Sequence, residues 1–540
     1  MTRAATAARP RLAPAARAVA ASLVALVAWG ASLAAADAPP AAPATPGAAP
    51  TAPAAPRDAA TLQEERWYRM ALDGRPCGWV HERVERAGEL VRSVSRTELT
   101  IGRMGQQVVL KTEIVVEENA RGQVSRVVVT KESGTAPVRS TWLFGPGGID
   151  VVEEQGGRTN ARRYPALPAD CLSPRAVDEF VRRRLASGAT ELAYSTMSPE
   201  SGPSAVRVES RRTGTGTATV QGREVPVTEW STRSSLLERP STEVLSGDGV
   251  LVRSRTDIGV GVLESTLSTK EAATAANGGV ELMARTFVPV TGDPRRIPGS
   301  HRVELRVRGT RGPVVELPGE GAQRVERQSP ELLRVTVDET ATTPATAGEL
   351  KDERFRRASV MVDCDDPKVK ALATQALRGV AAKPMEQALA LRSAVARHIV
   401  RKDLASGFGT ASDAAASRAG DCTEHAVLLA AVLRSAGIPS RVVTGLLFVP
   451  AMGSARNVYG WHMWTQAIID GQWTDFDAVL PPGPRRFDAS HLMTGSSAAD
   501  AAGLDADLVR IVDLIGAMGI EIFSVDGAPA APAAPAGAAP

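Results

Sequence analysis

Hydrophobic and polar positions change their period along this chain. From Trp67 to about Ala275 apolar residues alternate with polar ones, as in WYRMAL from Trp67, VVLKTEIVVE from Val108, GQVSRVVVT from Gly122 and REVPVTEW from Arg223. A period of two marks strands with one buried face, and Asp73-Gly74 supplies a turn after the first of them. One stretch departs from it. Ser173 precedes Pro174, and Val177, Phe180, Val181 and Leu185 form a helical stripe that stops at Gly188. Sheet, helix, sheet describes a half-barrel. HRVELRVRG and LLRVTVDE, between Arg296 and about Thr343, add short strands that predict a small sheet. The period then becomes helical. Asp366-Pro367 is an N-cap and first-turn pair, followed by Val369, Leu372, Ala373 and Ala376 up to Gly379, and a second helix starts at Pro384 with Ala388, Leu391, Val395 and Ile399 on one face.

The stretch GDCTEHAVLLAAVLRSAGIP, Gly420 to Pro439, predicts a third and different helix. Asp421 and Glu424 form a D-x-x-E capping box, and Gly437 ends the helix. Ala426 to Leu433 is apolar on every side, so the helix belongs at the centre of its domain. Cys422 falls in its first turn, where the partial positive charge of the helix end favours a thiolate. A lone cysteine is otherwise an ordinary inert core residue, so its partners decide. They come in WHMWTQAIIDGQWTDFD, Trp461 to Asp477, a hairpin turning at Asp470-Gly471. Pairing Ile469 with Gln472 sets Trp464 opposite Asp477 and puts His462 on the same face, diagonal to Asp477. Asp475 falls opposite Gln466, four residues from His462, so Asp477 is the better partner for the imidazole. Cys422, His462 and Asp477 are a nucleophile, a base and an orienting carboxylate.

These residues resemble the transglutaminase-like superfamily. The resemblance runs from about Arg356 to Asp477 and is most specific in GDCTEHAVLLAAVLRSAGIPSRVVTG from Gly420 to Gly445, in HMW from His462, and in the W-x-x-x-D spacing from Trp473 to Asp477. It implies an α+β fold: a papain-like catalytic domain preceded by β-rich domains, in a bacterial extracytoplasmic member. It also implies that Cys422 is the nucleophile, His462 the general base and Asp477 the residue that orients the histidine. The chain reads Asp477-Ala478-Val479 where many members have Asp-Pro, which leaves the triad intact. Members include peptidases and deamidases. The implied function is a thiol enzyme acting on peptide or protein amides through a thioester, as peptidase, deamidase or acyl transferase; the alternative is a non-catalytic binding or scaffold protein on the same fold.

The N-terminus changes the picture of location. Arg3, Arg9, Arg11 and Arg17 precede an apolar stretch from Ala18 to Ala36 that ends in Ala34-Ala35-Ala36, with no acid before Asp37. This reads as a cleaved secretory signal over residues 1–36 and a periplasmic or secreted protein, with an uncleaved membrane anchor as the alternative. Residues 37–62 are a Pro/Ala-rich linker, 63–290 the β-rich half-barrel, 291–350 the small sheet, 351–526 the catalytic domain and 527–540 an Ala/Pro tail. An apolar ligand in the half-barrel is a further reading, resting on topology and the Gly74 to Gly78 turn. The formal charge of +3 falls to about −1 without the four signal arginines, and nothing in it calls for nucleic acid.

Cysteine and histidine usage narrows the chemistry. The four cysteines, Cys77, Cys171, Cys364 and Cys422, include no C-x-x-C pair, so no structural zinc site is expected and no cofactor is called for. In an oxidising compartment Cys77 and Cys171 could bridge, and Cys364 is equally eligible. A metal set of Cys422, His425 and His462 is the minor alternative to the triad. His81, His301, His398 and His491 sit singly and receive no role. Trp461, Trp464 and Trp473 cluster in the hairpin, either as a wall that excludes water or as ordinary core. For the oxyanion, the Cys422 N–H is one donor, and Thr410 or Ser412 is the candidate for the second.

Overall fold

The computed structural model describes residues 60–103, 106–119, 121–132, 137–275, 278–314, 316–402, 409–499 and 514–529. The expected signal, most of the linker and most of the tail lie outside these residues. No described helix is long and apolar enough to cross a membrane.

The alternating half of the chain folds into one long, almost entirely antiparallel sheet that the first strand, Thr61–Leu72, divides. On one side of it the strands follow in chain order from Arg75–Ala87 to Arg158–Tyr164; on the other they run back from Val262–Ser268 to Cys171–Leu172. The two outer strands, Arg158–Tyr164 and Cys171–Leu172, do not pair with each other, so the sheet is open. Strand Gln106–Glu118 shows why the sheet forms: Val108, Leu110, Thr112, Ile114 and Val116 are buried in alternation. The expected helix is Pro174–Ala186, capped by Ser173 Oγ, which accepts from the Ala176 N–H at 3.2 Å. Its Val177 and Val181 pack into a core with Tyr68, Met70, Trp230 and Leu245. None of the four cysteines is in a disulfide. The Cys77–Cys171 bridge does not form: Cys77 lies on Arg75–Ala87, next to the central strand, and Cys171 on the outermost strand.

The second half is α+β. Its sheet runs in the order Gln323–Ser329, Leu332–Asp338, Arg302–Gly309, Met518–Val525, Val288–Thr291, Ala455–Ile469, Ser440–Met452, His491–Ser497, with Gln472–Phe476 also on Ala455–Ile469. The short strands before residue 350 are therefore hydrogen-bonded, through Met518–Val525 and Val288–Thr291, to the strand that carries His462. Helices Pro367–Ala376, Pro384–His398 and Ala411–Ser417 pack around the central helix Cys422–Ser435. Every residue from Ala426 to Leu433 is buried. Burial of Leu428, Leu429, Val432 and Leu433 is worth about 1.5–3 kcal/mol each, against tenths for helix propensity, so packing holds this helix in place.

Candidate active site

Cys422 is the first residue of the central helix and is only 1% exposed. The capping box forms in both directions between Asp421 and Glu424, with Glu424 Oε2 accepting from the Asp421 N–H at 2.8 Å, and Asp421 Oδ1 also accepts from the Thr423 N–H at 2.7 Å. Glu424 Oε1 also takes the Gly409 N–H at 3.1 Å, tying the approach segment to the helix. A Cβ at Gly420 would come within 2.4 Å of Glu424 Cβ, so only glycine lets the chain pass this side chain on its way to the nucleophile. Burial and the neighbouring Asp421 push the Glu424 carboxyl well above the usual range. His425 Nδ1 donates to the Asp421 carbonyl at 2.6 Å, and burial lowers its pKa to about 4, so the ring is neutral and serves the helix end.

The hairpin has the expected register. Ile469 pairs with Gln472, Gln466 with Asp475 and Thr465 with Phe476, and Asp470 and Gly471 both have positive φ, 49° and 77°, as a type I′ turn requires. Thr465 Oγ1 donates to the Ala426 carbonyl at 2.9 Å, which docks this strand on the nucleophile helix one turn beyond Cys422. His462 Nε2 lies 3.1 Å from Asp477 Oδ2, with both side chains buried. His462 Nδ1 is buried and has no hydrogen-bond partner. Asp475 is engaged elsewhere: its Oδ1 accepts from Trp464 Nε1 at 2.7 Å and Gln466 Nε2 at 2.9 Å, and its Oδ2 from the Ala322 N–H at 2.7 Å. Thr410 and Ser412 serve helix ends. Thr410 Oγ1 caps Ala411–Ser417 by accepting from the Asp413 N–H, and the Ser412 N–H goes to Asp363 Oδ1.

Two side chains without a sequence signal, His491 and Arg392, complete the surroundings of Asp477. His491 Nε2 is 3.2 Å from the same Asp477 Oδ2, while its Nδ1 is 3.0 Å from the Asp488 carbonyl and 3.3 Å from Asp488 Oδ1. Arg392, fully buried in the helix Pro384–His398, donates to the carbonyls of Asp477 and Leu480 at 3.1 Å each and of Pro481 at 2.6 Å. Asp477 Oδ1 takes the Val479 N–H at 2.8 Å. Burial opposes ionisation of Asp477, but His462 and His491 outweigh it and hold the carboxyl well below its usual range. Arg392 reads in sequence as one more helix arginine, and His491 as an isolated histidine.

Among the described residues, the ligand-type atoms of His462, Asp477 and His491 converge, within 4.8 Å of one another. We assign none of them to a metal: both Nε2 atoms sit at hydrogen-bond distance from a single carboxylate oxygen. The alternative set of Cys422, His425 and His462 does not converge as a ligand group among the described residues.

Residues 370–478 match the family model of the transglutaminase-like superfamily. No curated protein is significantly similar to the chain. Among solved structures, the chain is similar to a β-barrel-like protein of a domain of unknown function from Brucella abortus, with 11% identity and a TM-score of 0.31 over 38% of this chain and 95% of that one. It is also similar to a "putative cysteine protease" from Cytophaga hutchinsonii, with 16% identity and a TM-score of 0.25 over 41% of this chain and 83% of that one.

Proposed function

Because residues 370–478 form a domain of the transglutaminase-like superfamily, we propose that this chain is an extracytoplasmic thiol enzyme that acts on peptide or protein amides through a thioester. The observation that carries the reading is the His462–Asp477 pair. With Nε2 committed to Asp477 at 3.1 Å, the unpartnered Nδ1 is the nitrogen left to exchange a proton with a thiol. The Cys422 thiolate adds to the amide carbon, and the electron pair of the C=O moves to oxygen, which the Cys422 N–H at the helix end stabilises. Collapse expels the amine, which takes the proton from His462, and leaves the acyl group on sulfur. Water, or a second amine, then gives a proton to His462 and its electron pair to the thioester carbon, releasing the acid or the new amide and restoring the thiolate and imidazolium. Asp477 keeps the ring in the tautomer and orientation that both proton transfers need. The arginine-bearing apolar start and the Ala34-Ala35-Ala36 site support an extracytoplasmic location.

A scaffold without chemistry is the second reading, favoured by burial: Cys422, His462 and Asp477 are 1%, 4% and 1% exposed. A peptide library analysed by mass, with and without an added amine, tests catalysis and identifies the acceptor. Cys422→Ala is expected to lower turnover about a thousandfold or more while the fold is kept, and Cys364→Ala to leave it unchanged. Burial pushes the Cys364 thiol up, Cys171 to about 11 and Cys77 to about 12, so iodoacetamide in mildly acidic buffer should label Cys422 alone. A folded wild-type protein that neither turns over any peptide nor labels at Cys422 would establish the scaffold.

A further inference from the structure

We propose that His491 is a positioning residue of the site: a permanently protonated imidazolium that shares Asp477 Oδ2 with His462 and thereby sets how tightly His462 holds its proton. The inference rests on the thiol-enzyme reading for its role, and on hydrogen-bond geometry together with the two neighbouring aspartates for its charge state. His491 Nδ1 faces the Asp488 main-chain carbonyl at 3.0 Å, an atom that can only accept, so this nitrogen carries a hydrogen. Nε2 faces Asp477 Oδ2 at 3.2 Å, and the flanking histidines keep that carboxylate ionised, so this nitrogen carries one too. A ring that donates from both nitrogens is an imidazolium. Burial alone would strip its proton, but Asp477 and Asp488 outweigh burial and raise its pKa to about 10. The Phe487 ring, 4.2 Å away between centroids, and the Trp464 ring at 5.0 Å close the site around it.

The other ionisable groups near this centre agree with the assignment. Asp488 is held low, because His491 and Ser490 outweigh its burial. Tyr459 stays neutral, since burial raises it far out of range. His425 is neutral, and Arg392 donates to the Asp477 main-chain carbonyl at 3.1 Å. The His462 ring lies 5.4 Å from His491 between centroids. Two imidazoles therefore draw on one oxygen. A fixed positive charge at this distance repels the charge that the His462 ring gains and loses as it protonates a departing amine and then accepts a proton from water. It also keeps the Asp477 carboxylate pinned on two sides, so the carboxylate that orients His462 cannot rotate away.

Two measurements test this. In histidine-labelled wild-type protein, nitrogen–proton correlation NMR across pH 6 to 9 should find both His491 nitrogens protonated throughout, on the order expected from its two carboxylates. Alkylation of Cys422 against pH should rise in two steps, the upper one being loss of the His462 proton. In His491→Gln, which removes the charge but keeps a donor, the upper step should move up by about one pH unit, a tenfold change in proton affinity. A purely structural residue would lower stability without moving that step. A neutral His491 in the wild type, an upper step unchanged in folded His491→Gln, or one equivalent of zinc in the purified protein would overturn the proposal. If His491→Gln does not fold, the wild-type NMR decides. An unreactive Cys422 beside a doubly protonated His491 would instead overturn the thiol-enzyme reading and the role built on it, with the charge state standing.

Discussion

Asp475 and Asp477 lie two residues apart and face the same side, yet their surroundings divide the tasks. Asp477 meets two imidazoles with one oxygen, whereas Asp475 satisfies three donors from Trp464, Gln466 and Ala322. Asp477→Asn should therefore cripple turnover through the wrong histidine tautomer, by as much as about four orders of magnitude on the scale of the serine triad. Asp475→Asn should leave the pH profile of Cys422 alkylation in place. It should cost about 1–3 kcal/mol of stability instead, because an amide NH2 would face donors that need an acceptor. Denaturant unfolding and alkylation measured on both variants separate the two effects; loss of Cys422 reactivity in Asp475→Asn at full stability would reverse the assignment.

At the scale of the element, the nucleophile helix carries its own pH dependence. His425 is buried in its first turn with a pKa near 4, below the value of about 6.5 it has when unfolded. The unfolded chain binds the extra proton first, so this contribution to stability is complete above about pH 6.5 and is lost as pH falls towards 4. The shift corresponds to about 3 kcal/mol at its full extent. Glu424, three residues from the cap and pushed up by burial, acts in the opposite sense and softens the acid loss. His425→Gln keeps a donor for the Asp421 carbonyl and removes the titration. Its unfolding free energy should change less between pH 7 and pH 4.5 than that of the wild type. An equal slope for the two proteins would show that other groups govern acid stability.

On the scale of the molecule, the outermost strand of the β-rich sheet reaches the catalytic half through Arg158. Its guanidinium lies 3.4 Å from Asp363 and 3.6 Å from Asp366 and also hydrogen-bonds Asp365, at the entry to the helix Pro367–Ala376. Asp363 is buried and accepts from the Ser412 N–H, so this ion pair touches the segment that leads to Cys422. Arg158→Ala should cost no more than about 1 kcal/mol, because the arginine is partly exposed. Arg158→Glu adds a fourth carboxylate to three and should lower the melting temperature visibly more at low ionic strength than at high. A salt-independent change in Arg158→Glu would remove this contact from the account of how the halves are joined.

What the sequence by itself determined was everything recorded in neighbouring residues. The D-x-x-E cap and apolar run placed Cys422 at a helix start, Asp470-Gly471 with its flanking alternation set the hairpin register, and Ser173-Pro174 opened the lone helix of the half-barrel. Capping and strand alternation are local geometry, and local geometry leaves a local pattern. The tertiary structure alone decided what meets Asp477 from elsewhere. His491 arrives because its strand adds to Ser440–Met452 on the side away from the His462 strand, and Arg392 comes from a helix that shares no periodicity with the hairpin. The strand Met518–Val525, far along the chain, joins the short early strands to the catalytic sheet. Such long-range pairings are chosen by burial and by satisfaction of charge in the assembled core, for which no spacing in the sequence is a marker.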